Sequence, residues 1–345
     1  MEKVRVIVYG VGAMGSGMVR MMLDKQWIEI VGAIGHSKTK IGKDLGEVAG
    51  VGRKLGSVIS DDSVLSEVKA DMVLHATSFP ASDMEFQIIK AVKGKANVIT
   101  LTDSRLAYPW LHWPQLARRI DEAAKENGVT VLSTGISPGF MGDLVPIMFS
   151  GLCIFVKKVL VKIVSDLSAF GIPVLNRYGI STGLEQWRKE FGRKIVTPAR
   201  PLSDVADSLF RFTLIDMIAD ALGWQLDETS QVLEPLTAVR RKRLPQELEI
   251  SSGSVYGVNQ ISCGIKGGDA VITIEVILGV GLEEEGLEAA GIVTLEGDQN
   301  ISITIKNFDP GAGSFARCVN AIPQVMGAPA GLITNKDLPV ATALS

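Results

Sequence analysis

Residues 4–22 read VRVIVYGVGAMGSGMVRMM, and this stretch leaves the chain few folds to choose from. A short apolar run, Val4–Tyr9, leads directly into Gly10-Val-Gly12-Ala13-Met14-Gly15, and a segment with helical apolar spacing follows. The order is strand, tight glycine turn, helix. In a βαβ unit the glycines do separate jobs. Gly10 permits the turn, Gly12 lets the backbone approach a pyrophosphate, and Gly15 lets helix and strand pack closely. The first helical N–H groups, with Ala13 and Met14 among them, then face the phosphates. Glycine is common here, at 36 residues, so the flanking strand and helix carry the signal rather than the glycines alone.

The next strand, Ile28–Ile34, ends where NAD-binding units place an acid that bonds the ribose 2′-OH. This chain has Gly35, His36, Ser37, Lys38 and Lys40 there. Donors and cations without a carboxylate suit a 2′-phosphate, so NADP is expected, with NAD as the alternative. A short helix opened by an Asp cap is predicted over Asp62–Val68. Asp71–His75 reads as a strand running into Ala76, Thr77 and Ser78, which would contact the cofactor at the strand's C-terminal end. His75 itself reads as a packed core histidine. A helix over Asp83–Lys93, a strand over Asn97–Leu101, a helix over Pro114–Asn127 and a strand over Val129–Ser133 continue the alternation, which indicates a mainly parallel, doubly wound sheet.

The pattern then changes. Lys157–Ser165 reads as a strand, Leu167–Thr182 as irregular, and Gly183–Phe191 and Ser203–Leu222 as helices. From Gln225 onward strands dominate, as expected of a largely antiparallel sheet with one face covered. Its open face suggests a homodimer. The run Arg240–Arg243 reads as an exposed loop, and Gly313–Met326 as a final helix. At 345 residues two domains are expected: 1–135 for the dinucleotide, with 310–345 packing back on it, and 136–309 for substrate and dimerisation.

Composition excludes several classes. A net charge of −3 argues against a nucleic-acid partner. Three cysteines, Cys153, Cys263 and Cys318, show no paired spacing, so neither a disulfide framework nor a metal site is expected. The chain enters a strand at once, leaving no room for a signal peptide, and Leu144–Val156 is too short to span a bilayer. A soluble cytoplasmic protein acting on a small molecule is the expectation.

Five elements together resemble one family. They are GVGAMGSGM, Leu106-Ala-Tyr-Pro-Trp110, Ser133-Thr-Gly-Ile-Ser-Pro-Gly-Phe140, Asp166-Leu-Ser-Ala-Phe-Gly171, and the late Val319–Pro323 with Ala328–Leu332. Over nearly its whole length the chain is similar to the 2,4-diaminopentanoate dehydrogenases and native amine dehydrogenases, within the dihydrodipicolinate reductase-like superfamily. The resemblance implies an NAD(P)-dependent enzyme interconverting an amine with a ketone plus ammonia through an imine. The histidine-pair and lysine motif of true dihydrodipicolinate reductases is missing, which disfavours lysine-pathway reduction.

The chain also departs from the pattern. Where the family has a Glu-Glu pair before Leu-Ala-Tyr-Pro-Trp, this sequence has Ser104 and Arg105, with Asp103 one residue upstream. Proton transfer at an amine needs a base of suitable pKa, and Arg105 would suit a carboxylate rather than an ammonium group. Asp103, Ser104, Arg105 and Tyr108 are therefore the candidate catalytic set. Three readings stay open: a reductase of an imine or ketone with altered substrate, oxidative deamination of a 2,4-diamino acid with Asp103 as base, and a non-catalytic NADP-binding sensor or scaffold. Asp103 also reads as a turn cap and Arg105 as a surface charge. By position, Ser137, Phe140, Ser168, Phe170 and Asn176 would line the substrate pocket, though phenylalanines such as these two are more often core and Ser137 before Pro138 also reads as an ordinary turn residue.

Overall fold

The computed structural model describes residues 3–77, 81–168, 172–192, 194–198, 212–243 and 249–344. The chain divides into two compact units, the first including residues up to Phe140 and Asp309–Ser345, the second made of Met141–Arg200 and Leu209–Phe308.

The first unit begins β1 (Val4–Tyr9), α1 (Ala13–Met22), β2 (Ile28–Ile34), α2 (Leu45–Ala49), β3 (Ile59–Ser60) and α3 (Val64–Glu67). It continues β4 (Met72–His75), α4 (Ala81–Lys93), β5 (Asn97–Thr100), α5 (Pro114–Asn127) and β6 (Thr130–Ser133). Every residue of β4 and β6 is buried, as strands of a parallel sheet covered on both faces must be. The Asp cap expected for α3 is Ser63 instead; Asp61 accepts from the Ser63 amide, and Asp62 is drawn 2.7 Å from Lys90.

The second unit holds α6 (Leu144–Ser150), β7 (Val156–Asp166), α7 (Ile172–Asn176), α8 (Leu184–Glu190), β8 (Lys194–Pro198) and α9 (Phe212–Ala221). After them come β9 (Glu228–Thr237), β10 (Lys242–Arg243), β11 (Glu249–Ile250), β12 (Val255–Lys266), β13 (Asp269–Gly279), β14 (Ala290–Gly297) and β15 (Asn300–Lys306). Its main sheet runs β15-β14-β7-β13-β12-β9-β8, antiparallel throughout except where β13 pairs with β7. Helix α9 approaches the sheet at Gly264, where a Cβ would stand 2.8 Å from Ile215.

Two expectations for this unit change. The stretch read as irregular contains α7. The basic run is not a wholly exposed loop, because Lys242 is 2 % exposed. Its ammonium lies 2.9 Å from Glu285 and 3.3 Å from Glu284, donates to the Gly281 carbonyl, and sits over the Tyr256 ring. A lysine is buried only with partners of this kind, and Gly281 and Glu284 lie 39 and 42 residues away in sequence. The helix expected over Ser203–Leu222 is seen as α9, its earlier residues lying outside the described ones.

The chain returns to the first unit as α10 (Pro310–Asn320), α11 (Ile322–Met326) and β16 (Gly331–Ile333). The single helix expected over Gly313–Met326 is thus two, parted at Ala321. The α10 helix packs on α1 where Gly17 leaves room for the Phe315 ring, and β16 pairs in parallel with β6. The completed sheet is β16-β6-β5-β4-β1-β2-β3, with all pairs parallel. This is the Rossmann-type doubly wound arrangement. Register places Ile34, Tyr9, His75, Thr100 and Ser133 in one row across five strands, so the loops that follow leave from a common edge.

Candidate functional site

The strand order reverses between β1 and β4, and doubly wound sheets bind ligands at such a switch point, beyond the C-terminal strand ends. Here the glycine turn meets the end of β4. Gly10 has φ +102°, and a Cβ on it would stand 2.5 Å from the Ala76 carbonyl oxygen and 3.0 Å from the Thr77 nitrogen. A Cβ on Gly15 would come within 1.9 Å of the Gly10 carbonyl oxygen. Gly12 differs, for nothing lies within 4 Å of its missing Cβ. It is also the N-cap of α1, which has no side-chain cap and no acid in its first turn. Gly12 and Ala13 are exposed and Met14 is half-buried. The turn is therefore an open cradle with uncapped N–H groups, and it fits the pyrophosphate of a dinucleotide.

Beyond β2, His36, Ser37 and Lys38 are exposed. Lys40 folds back, and its ammonium donates to the Val11 carbonyl at 2.7 Å, which sets a cation beside the turn. The first acid after β2 is engaged elsewhere. Asp44 accepts from the amides of Leu55, Gly56 and Gly46, which hold its carboxyl below the usual carboxylate range, Leu55 foremost.

Beneath this edge lies a buried polar cluster. His75, 1 % exposed, places Nδ1 2.9 Å from Thr100 Oγ and Nε2 2.9 Å from Gln87 Oε1. Thr77 Oγ donates to the same Gln87 oxygen at 2.7 Å and lies 3.1 Å from His75 Nε2. Burial pushes the His75 pKa down, opposed in part by Gln87 and the charge of Asp103. Ala76 and Thr77 are buried; Ser78 lies outside the described residues.

The loop after β5 is organised by an ion pair. Asp103 Oδ1 accepts from the Arg105 backbone N–H at 3.2 Å and from Nε at 2.9 Å, and Oδ2 accepts from Nη2 at 2.7 Å. Asp103 is 0 % and Arg105 7 % exposed. Asp103 thus caps the 3-10 turn Ser104–Ala107, while Arg105 is no surface charge. Ser133 Oγ donates to the Asp103 carbonyl, pinning the loop to β6. Ser104 and Tyr108 are half-buried, the latter closing the turn.

The loop after β6 holds Ser137 and Phe140, both half-buried. The returning tail fastens it. Arg317 Nε donates to the Gly139 carbonyl, Asn335 Nδ2 donates to the Ser133 carbonyl, and Thr134 Oγ donates to Asn335 Oδ1 at 2.7 Å. Asn335 and Gln87 had no sequence signal, since each acts only through partners brought close by the fold.

In the second unit, Ser168 N–H donates to Asp166 Oδ1, and Ser168 Oγ accepts from the Gly281 N–H at 3.0 Å. Asp166 Oδ2 accepts from the Leu282 N–H, so this corner is tied to the segment after β13. Asn176 is exposed at the end of α7. Phe170 lies outside the described residues. Trp187 is core, 0 % exposed with its indole N–H on the Tyr178 carbonyl. No group of three or more His, Cys, Asp or Glu residues suited to a metal ion occurs among the described residues, and no described helix is long and apolar enough to cross a membrane.

Comparison with known proteins agrees with this architecture. Residues 4–106 match the model of the dihydrodipicolinate reductase N-terminus, and residues 140–345 that of the 2,4-diaminopentanoate dehydrogenase C-terminal domain. The chain is 35% identical to the 2,4-diaminopentanoate dehydrogenase of Acetoanaerobium sticklandii over 349 residues, covering 100% of this chain and 96% of that one. It is 25% identical to an amine dehydrogenase of Streptomyces virginiae, covering 99% and 98%. The solved amine dehydrogenase of Mycobacterium smegmatis superposes with a TM-score of 0.85 at 26% identity, over 99% of this chain and 97% of that one. With this much of its length shared, the chain belongs to the 2,4-diaminopentanoate dehydrogenase family.

Proposed function

We propose that the chain is an NADP(H)-dependent oxidoreductase acting at a carbon that bears nitrogen or oxygen, an imine, amine or ketone centre. The nucleotide supplies or accepts the hydride, and the protein supplies orientation and proton transfer. Gly10, Gly12, Ala13, Met14 and Gly15 hold the pyrophosphate, and Ala76 and Thr77 border it. His36, Ser37 and Lys38, joined by Lys40, take the 2′-phosphate. The observation that carries the choice of nucleotide is Lys40 bonded to the turn itself, with no carboxylate in the sequence from Gly35 to Lys43.

At the reacting centre the Asp103–Arg105 pair acts as one unit. Both Asp103 oxygens already accept from Arg105 in a buried setting. Taking a proton from an ammonium would first require breaking that pair, so we assign Asp103 to holding Arg105. The guanidinium then presents donors to an anionic or carbonyl group of the substrate. Tyr108 and Ser104 are left to hold or move the proton. Ser137 and Phe140, and in the second unit Ser168 and Asn176, are assigned to the substrate. We read the protein as a cytoplasmic homodimer, which sedimentation of the purified chain tests.

The reaction named for the A. sticklandii relative is a second reading, favoured by 35% identity over the full length. Oxidation of 2,4-diaminopentanoate by the wild type would favour it, and because it needs Asp103 as base, activity retained in Asp103→Asn would overturn it. Failure of every amine, imine and ketone to turn over despite tight cofactor binding would leave a sensor.

Titration with NADPH and NADH followed by fluorescence decides the nucleotide. NADPH should bind at least about tenfold more tightly, and Lys40→Gln should erase about that factor for NADPH alone, as expected for one lost charge-assisted bond. Tighter NADH binding overturns the assignment.

A further inference from the structure

We propose that His75, in the tautomer with its proton on Nε2, is a positioning residue that couples the cofactor edge of the crevice to the loop bearing Asp103–Tyr108. The inference rests on the reading above in which Thr77 borders the cofactor.

The tautomer follows from the partners. Gln87 Oε1 can only accept, so Nε2 must donate to it; Nδ1 is then an acceptor and takes the Thr100 hydroxyl proton. A neutral imidazole suits a site this buried, where the Tyr9 and His75 rings meet in a T-shaped contact, 5.5 Å between centroids, and the charge of Asp103 only partly opposes the effect of burial. Each ring nitrogen thereby serves a different loop.

On the Nε2 side, Gln87 Oε1 also accepts from Thr77 Oγ. Thr77 is thus held at the place where its backbone nitrogen faces Gly10 across a 3.0 Å gap to the missing Cβ. On the Nδ1 side, Thr100 Oγ accepts from the Thr102 N–H at 3.4 Å, an early amide of the loop that reaches Asp103. The Leu101 N–H donates to the His75 carbonyl, and the Thr134 N–H to the Thr100 carbonyl, so the same strand ends are bonded through their backbones. One side chain therefore spans two strand ends that carry separate duties, with Gln87 brought in from α4 to complete the bridge.

This division makes the two branches separable. In His75→Gln the amide nitrogen occupies the Nε2 position and keeps the bond to Gln87, while the acceptor for Thr100 is lost. In His75→Asn the amide oxygen occupies the Nδ1 position and keeps the acceptor for Thr100, while the donor to Gln87 is lost. With the full-length protein, NADPH affinity should fall about fivefold in His75→Asn and stay near wild type in His75→Gln, the size of one neutral hydrogen bond. Amide exchange followed by mass spectrometry should show the reverse in peptides covering 101–110, faster in His75→Gln and unchanged in His75→Asn. Thr77→Val should reproduce the affinity loss of His75→Asn, and the double variant should lose no more than either single one. Equal effects of both His75 variants on both readouts, or additivity of Thr77→Val with His75→Asn, would overturn the inference in favour of a plain core histidine. Absence of NADPH binding by the wild type would instead remove the reading of the cofactor site on which it rests.

Discussion

The turn after β1 and the loop after β5 leave the same edge of one parallel sheet with only β4 between them, yet they are held by different means. The first is a backbone structure. Its shape comes from Gly10 at positive φ and from Gly15 and Gly10 in contact too close for any side chain. The second is a side-chain structure, in which a buried carboxylate and guanidinium bind each other twice and set the course of the turn between them. A backbone-built site tolerates almost no substitution but is independent of charge. An ion-paired site can change its specificity by exchanging one partner, at the cost of stability while the other remains buried.

Four substitutions sharpen the contrast. Gly15→Ala places a Cβ 1.9 Å from immovable backbone, and we expect a loss on the order of 4 kcal/mol or more in denaturant unfolding, with cofactor binding abolished. Asp103→Asn should cost about 3 kcal/mol, because Arg105 loses the carboxylate that meets both Nε and Nη2. Asp103→Asn combined with Arg105→Met should cost much less than the sum of the two single changes; additive losses would mean the pair is not one unit. Gly12→Ala should leave the unfolding free energy within about 0.5 kcal/mol of wild type, since its Cβ meets nothing. It should still weaken NADPH roughly tenfold, about 1.4 kcal/mol, by occupying the cradle. Unchanged affinity in Gly12→Ala would detach the cradle from the nucleotide.

The same contrast explains what the sequence discloses. The glycine turn, the alternation of strand and helix up to β6 and the change to a largely antiparallel sheet are local patterns, and each is found where periodicity and turn residues put it. The strand β16 is three residues long, too short for any period to register, and its place beside β6 follows only from tertiary packing. Arg105 and Lys242 read as surface charges because charge is normally solvated. Their burial depends on partners that local spacing does not expose, namely a carboxylate two residues back and a pair of glutamates beyond β13. His75 reads correctly as buried, but its bridging geometry depends on Gln87 and Thr100, which belong to two other elements.

Pairing of β16 with β6 has a consequence for how the chain comes into being. The second unit lies within Met141–Phe308, whereas the first unit is closed by residues from Asp309 onward. During synthesis β6 therefore waits as an open edge, and Ser133 and Thr134 wait for Asn335, at sequence separations of 202 and 201 residues. The inserted unit can fold on emerging, but the parallel sheet is finished last. An edge left unpaired that long is exposed to mispairing with neighbouring chains, so the tail acts in effect as a seal whose arrival ends the vulnerable period of the nascent protein.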